Sequence, residues 1–230
     1  MAVTFSDDFN RADALLSASA DWTEGIAGNN RVLSNEVALS SLSGFDATSL
    51  ADATMPDDQY VKMTVTARGG TVDTWPGLMA RYTAFGDLYF LQVRCDSTAN
   101  GDTAQLYKKV SGGFTSLGGP TAITVTIPFT MELRCVGTTI STYIGGVEIH
   151  SVTDTSHSSG KVGIYNSAQS GSAPLTNTLR LDDFEAGSPG AAPSGLTTKV
   201  GTTDVATQYV GSTPVLRAYV GTNLVFGSAP

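Results

Sequence analysis

Apolar and polar residues alternate one for one along most of this chain, and a period of two is the signature of a half-buried β-strand. Val61, Met63 and Val65 fall on one face, and Lys62, Thr64 and Thr66 on the other. The runs 91–95, 122–127, 131–135 and 139–144 repeat the pattern. Turn signals separate them: Asn100-Gly101, Gly112-Gly113, Gly118-Gly119-Pro120 and Gly145-Gly146. The last pair joins two alternating runs by a two-residue loop, which reads as a β-hairpin. No long stretch carries a helical period, and the nearest candidate is a short turn capped by Asn10. About a dozen short strands without helices predict an all-β antiparallel sandwich or barrel.

Composition narrows the function. With 230 residues the chain can bury a core without staples, and 41% hydrophobic against 15% charged residues excludes a charge-rich disordered protein. Lys+Arg 13 against Asp+Glu 21 gives a net charge of −8. That balance repels phosphate, so neither nucleic acid nor an anionic membrane is an expected partner. No window approaches the roughly 18 apolar residues of a membrane span, and the start of the chain has no basic-then-apolar leader. Synthesis and folding in a cytoplasm are the expectation. Two cysteines and two histidines are too few for a disulfide framework or a four-ligand zinc site.

The composition changes after residue 186. Residues 187–197 are mostly small and read as a flexible linker. Residues 198–230 then repeat with a period of ten: valine at 200, 210 and 220, glycine at 201, 211 and 221, valine again at 205, 215 and 225. A ten-residue unit cannot bury its own apolar face. This β-repeat arm is expected to pack on its own copies or on another protein. The docking stripe would be Val200, Tyr209, Val210, Val215, Tyr219, Val220 and Val225.

Eight segments, in order, carry a resemblance. They are Phe5–Arg11 with Trp22, Gly77–Tyr82, Asp87–Val93, Gln105–Lys109, Phe129–Arg134, Val136–Val147, Ser159–Ile164 and Leu181–Phe184. Over about residues 3–186 the chain resembles the concanavalin A-like lectin/glucanase jelly rolls of the laminin-G-like group. The arm resembles the ends of minor tail and virion surface proteins of phages infecting actinobacteria. Together the two imply a non-enzymatic virion protein, a minor tail component or capsid decoration. It would be assembled in the host cytoplasm, anchored or trimerised through its arm, and would display a lectin-like sandwich at the virion surface. The alternatives are a stand-alone carbohydrate-binding module and a glycoside hydrolase or lyase without the usual motif.

The candidate sites follow from residue types. Glucanases of this fold carry Glu-x-Asp-x-x-Glu on one strand, and none of the five glutamates here is followed by aspartate two residues on. Catalysis is therefore not expected, and Glu132 reads as a solvent-facing strand residue. His150 and His157 flank Asp154 and read as surface or hairpin residues. Asp7, Asp8, Asp182 and Asp183 lie in two Asp-Asp-Phe segments that would meet where the terminal strands pair. Oxygen ligands suit Ca²⁺, whereas the plainer role is capping turns and solvating edges. Trp75, in a segment read as a loop from Pro76 and Gly77, would join Arg81, Tyr82, Tyr89 and Tyr107 in a glycan site, where sugars stack on aromatic rings. Trp22 reads as core. Cys95 and Cys135 read as buried thiols, kept apart by the strand near 103–110.

Overall fold

The computed structural model describes residues 1–25, 30–39, 47–67, 74–95, 101–168 and 179–190, together with five short strands in the arm. It divides into two compact units, 1–189 and 190–230.

The first unit is an antiparallel sandwich. Its larger sheet holds β1 (Ala2–Asp7), β2 (Ala14–Leu15), β4 (Asn30–Leu33), β5 (Glu36–Leu39), β7 (Gln59–Ala67), β12 (Phe129–Val136), β13 (Thr139–Ile144), β14 (Val147–Thr153) and β16 (Arg180–Ser188). The order is β14-β13-β12-β7-β16-β5-β4-β2, with β1 also pairing β16. The smaller sheet holds β3 (Trp22–Glu24), β6 (Ala47–Ala51), β8 (Thr74–Ala84), β9 (Asp87–Arg94), β10 (Thr103–Val110), β11 (Gly113–Ala122) and β15 (Lys161–Ala168), ordered β11-β10-β9-β8-β15-β6-β3. The expected alternation places Val61, Met63 and Val65 of β7, and Met131 and Leu133 of β12, against Leu78, Leu91 and Leu106 of the opposite sheet. All are fully buried. Gly145 and Gly146, with φ of 57° and 80°, make the two-residue turn between β13 and β14.

The terminal strands close one side of the sandwich. Phe5, Phe9, Trp22 and Phe184 form one aromatic group, with Trp22 edge-on to Phe184 at 4.9 Å and to Phe5 at 5.4 Å. Trp22 is core, as expected.

Three local readings need correction. Gly118-Gly119-Pro120 is not a turn. It lies inside β11, whose pairing with β10 shifts register on either side of Leu106, opposite Gly118. A side chain at Gly118 would meet the His150 ring at 2.6 Å, so glycine here makes room for a neighbour. Second, the alternating run 122–127 leaves the sheet after Ala122. Third, Cys95 and Cys135 are held apart by lying in opposite sheets, not by an intervening strand, and no disulfide joins them. Burial pushes the Cys135 thiol up to about 12.

In the second unit, β17 (Thr198–Val200) pairs β18 (Thr203–Val205). β19 (Thr207–Val210), β20 (Thr213–Val220) and β21 (Asn223–Phe226) pair in sequence. The inner pairs Val200↔Thr203, Val210↔Thr213 and Val220↔Asn223 recur every ten residues. β16 continues to Ser188, two residues into the segment read as linker, and residues 191–197 lie outside the described ones.

Candidate functional site

Because a strand alternates, each residue of the smaller sheet that points into the core puts its neighbours on the outer face. Leu91 and Val93 are fully buried in the core, so Gln92 and Arg94 point outward. Ala104 and Leu106 do the same for Thr103, Gln105 and Tyr107. The register then sets who meets whom. Gly77 of β8 is opposite Gln92, and Gln92 is opposite Gln105. One row on, Arg94 is opposite Thr103, and the bridge Thr74↔Cys95 places Trp75 beside Arg94. Gly77 leaves this floor open, and only glycine fits. A Cβ there would lie 2.6 Å from the carbonyl oxygen of Leu91.

The result is a shallow recess of about 300 Å³ lined by Trp75, Gln92, Arg94, Thr103, Gln105, Tyr107 and Pro120. Its described residues supply two aromatic side chains, two planar amides, a guanidinium and the hydroxyls of Thr103 and Tyr107, and none of them is a carboxylate. Burial raises the Tyr107 hydroxyl pKa, with Gln105 offsetting part of the effect, so the hydroxyl stays neutral and able to donate. Tyr107 stacks on Phe90 at 4.9 Å and 14°, which fixes its ring. Rigid aromatic faces beside planar hydrogen-bonding groups can hold a ring that is apolar on its faces and hydroxylated around its rim.

A larger recess of about 700 Å³ lies beside the β11–β12 connection, lined largely by Ile123, Val125, Ile144, Val147 and Ile149 with threonine hydroxyls. It has no charged or amide side chain and its one aromatic ring, Phe129, is buried, so it lacks the means to orient a polyhydroxylated ligand.

The five expected glycan-site residues do not share one face. Trp75 and Tyr107 converge in the recess, though Trp75 lies on strand β8 and not in a loop. Arg81 is 1% exposed and belongs to the interior. Its guanidinium donates to the carbonyls of Asp57 (3.1 and 3.0 Å) and His157 (2.9 Å), and its amide to Gln59 Oε1. Arg81 has φ of 49°, inside the register break between Ala80 and Ala84 that turns its side chain away. Tyr89 is fully buried. Burial, and donation of its hydroxyl to Asp154 Oδ1 at 2.6 Å, push its pKa up to about 12. Tyr82 lines a separate recess with Asp52, Met55 and Lys161. Gln92, Arg94, Thr103 and Gln105 complete the site without having been singled out in the sequence.

The Asp-Asp-Phe segments do meet: Asp7 pairs with Phe184, and Asp7, Asp8 and Asp183 line one polar recess. The carboxylates there are engaged by the chain's own donors. Asp7 accepts two bonds from Arg11 (2.7 and 2.9 Å), one from Trp22 Nε1 (2.6 Å) and one from the Phe9 amide (2.8 Å). Asp8 accepts from the Asn10 amide and side chain, and Asp182 from the Asp183 amide. Burial raises the Asp182 pKa, with Asp183, Glu36 and Asp8 adding repulsion. Among the described residues no group of three or more acidic, histidine or cysteine side chains is placed to hold a metal.

The histidines are buried, not surface residues. His150 sits between Thr142 Oγ1 (2.8 Å) and Thr121 Oγ1 (3.0 Å), and His157 Nε2 lies 2.6 Å from the Lys109 carbonyl. Glu132, read as solvent-facing, is half-buried against Arg134. In the arm, Val200 ends β17, Tyr209 and Val210 end β19, Val215, Tyr219 and Val220 lie on β20, and Val225 lies on β21.

No family model matches the chain, and no curated protein matches it in sequence. Solved structures do match its fold. A Bacillus subtilis protein of unknown function with a galectin-like fold aligns with TM-score 0.54 and 14% identity, covering 81% of this chain and 96% of its own. The endo-β-1,3-glucanase of Pyrococcus furiosus aligns at 0.51 and 10%, covering 80% and 93%. A carbohydrate-binding module from Bacillus subtilis aligns at 0.48 and 17%, covering 70% and 95%. The sandwich therefore has the jelly-roll fold that the galectin-like protein and the glucanase share. The expectation of a chain without catalytic function is corrected by the glucanase, because the fold that suggested a binder is equally an enzyme's.

Proposed function

We propose that the outer face of the smaller sheet binds a glycan, with Trp75 and Tyr107 as stacking platforms and Gln92, Gln105, Thr103 and Arg94 as hydrogen-bonding partners. One observation carries this reading: the strand register brings aromatic and planar polar side chains from three strands into one recess.

The test is affinity electrophoresis of the full chain in gels containing laminarin, xylan or a galactan. Retardation by at least one of them is expected. Trp75→Ala should abolish it while the protein still unfolds in one cooperative transition, since the ring lies on the outer face of the sheet and not in the inter-sheet core. Migration unaffected by all three polymers defeats the reading. Reducing ends released from the retarding polymer, measured on the same samples, tell cleavage from binding.

We also propose that the arm holds copies of the chain together, as a virion surface protein would require. The ten-residue recurrence of its inner strand pairs supports this, since each hairpin is too small to be stable alone.

A further inference from the structure

We infer that the ligand of this face is an extended chain of about six sugar rings lying from Trp75 to Phe114, and not a single terminal sugar; the inference rests on the glycan-binding reading above. Thr103, Gln105, Tyr107 and Lys109 project from the outer face of β10, one every ~6.8 Å. The face changes character along that line. Its first half is the polar recess beside Trp75. Its second half is a run of aromatic rings: Phe90 stacks on Tyr107 and meets Tyr165 at 5.2 Å, and Phe114 stands edge-on to Phe90 at 5.8 Å and to Tyr107 at 6.3 Å.

Phe114 is the odd member. It lies on the edge strand β11 and is 56% exposed, whereas Phe90 beneath it is 1% exposed. The Lys109 ammonium lies 4.1 Å from the centre of the Phe114 ring and 3.4 Å from that of Phe85, so the Phe114 side chain is held at the surface by a cation and two aromatic neighbours. An exposed ring held this firmly presents a flat apolar face at little entropic expense on binding.

The spacing sets the ligand length. Trp75 and Tyr107 are two strands and four residues apart, or about 17 Å at strand spacings of ~4.8 Å and rises of ~3.4 Å. Trp75 and Phe114 are three strands and six residues apart by register, or about 25 Å. At about 5 Å per ring of an extended chain, these spans are roughly three and roughly five ring-to-ring steps, so a chain with one ring on each aromatic platform holds about four and about six sugars.

The experiment is calorimetric titration of the full chain with two- to seven-sugar oligomers of whichever polymer retards it in the gels. Affinity should rise at least tenfold between the tetramer and the hexamer and stay level at the heptamer. Phe114→Ala should bring the hexamer down to the tetramer's affinity and leave the tetramer unchanged, whereas Trp75→Ala should weaken every oligomer. A dimer that binds as tightly as the hexamer overturns the inference while glycan binding stands. So does a rise with length that survives Phe114→Ala. No retardation by any polymer removes both readings together.

Discussion

Replacing Asp7 by alanine removes one carboxylate that serves four donors. Its side chain is 9% exposed, and it accepts from Arg11 twice, from the indole of Trp22 and from the Phe9 amide. Arg11 is 32% exposed and returns to water, so its loss counts for little. The Trp22 indole cannot do the same, because the residue is 3% exposed inside the aromatic group of Phe5, Phe9 and Phe184. An unsatisfied buried donor costs about 1–3 kcal/mol, so the indole and the amide together predict a loss of about 2–6 kcal/mol. For a domain of this size that is a fall of about 4–24 °C in melting temperature. Asp7→Asn keeps one acceptor oxygen and should lose roughly half as much. Urea unfolding of the three proteins is the assay, with the midpoint moving and the slope constant. A loss below about 1 kcal/mol for Asp7→Ala would mean that water replaces the carboxylate, and the hub assignment would be wrong. Chelator should leave all three melting temperatures unchanged. A chelator-induced fall in wild type that Asp7→Ala abolishes would restore the calcium reading.

Two further outcomes are expected besides the gel and titration results. Burial lowers the pKa of His150, so the ring is neutral in the fold and takes up a proton more readily when unfolded. Its contribution is complete above the unfolded value of about 6.5 and is lost as pH falls below it; thermal melts from pH 8 to pH 5 should fall more steeply for wild type than for His150→Gln, and parallel curves would exclude the buried ring as the cause. Light scattering on the full chain and on a truncation ending at Gly190 should give an oligomer, a trimer by the sequence expectation, and a monomer. Two monomers would remove self-assembly as the role of the arm.

The sandwich was legible because alternation is a local signal: β7, β12 and β13 can be read off their own residues. Edges were harder. Glycine and proline in 118–120 look like a turn until β10 supplies the pairing partner, and the apolar alternation of 122–127 looks like a strand where none forms. Trp75-Pro76-Gly77 reads as a loop for the same reason, yet all three residues sit in β8. The site was half legible. Parity along one strand says which residues share a side, but not which side is the core. The register break after Ala80, with Arg81 in a left-handed conformation, defeats parity altogether. Gln92 and Gln105 gave no signal because an outward polar residue on a strand is the ordinary case. Only the pairing of three strands makes them neighbours.

That pairing also separates binding from stability. Gln92 lies between Leu91 and Val93, and Gln105 between Ala104 and Leu106, and all four flanking residues are fully buried. A period of two therefore gives each strand one face for the core and one for a ligand, and the two can change independently. Substitutions on the outer face leave the inter-sheet packing untouched, whereas Arg81, Tyr89 and Asp154 hold the smaller sheet to the β14–β15 connection from inside. The carboxyl of Asp154 illustrates the contrast. Burial alone would raise its pKa, but hydrogen bonds from Lys108, Tyr89 and Ser156 outweigh burial and hold it well below the usual carboxylate range. A group bound that tightly is committed to the fold. Around Trp75 the contacts stay on the outer face, with Tyr107 stacked on Phe90 and Gln105 donating to Ser116 Oγ, and it is on that face, not in the buried network, that the proposed ligand would exchange.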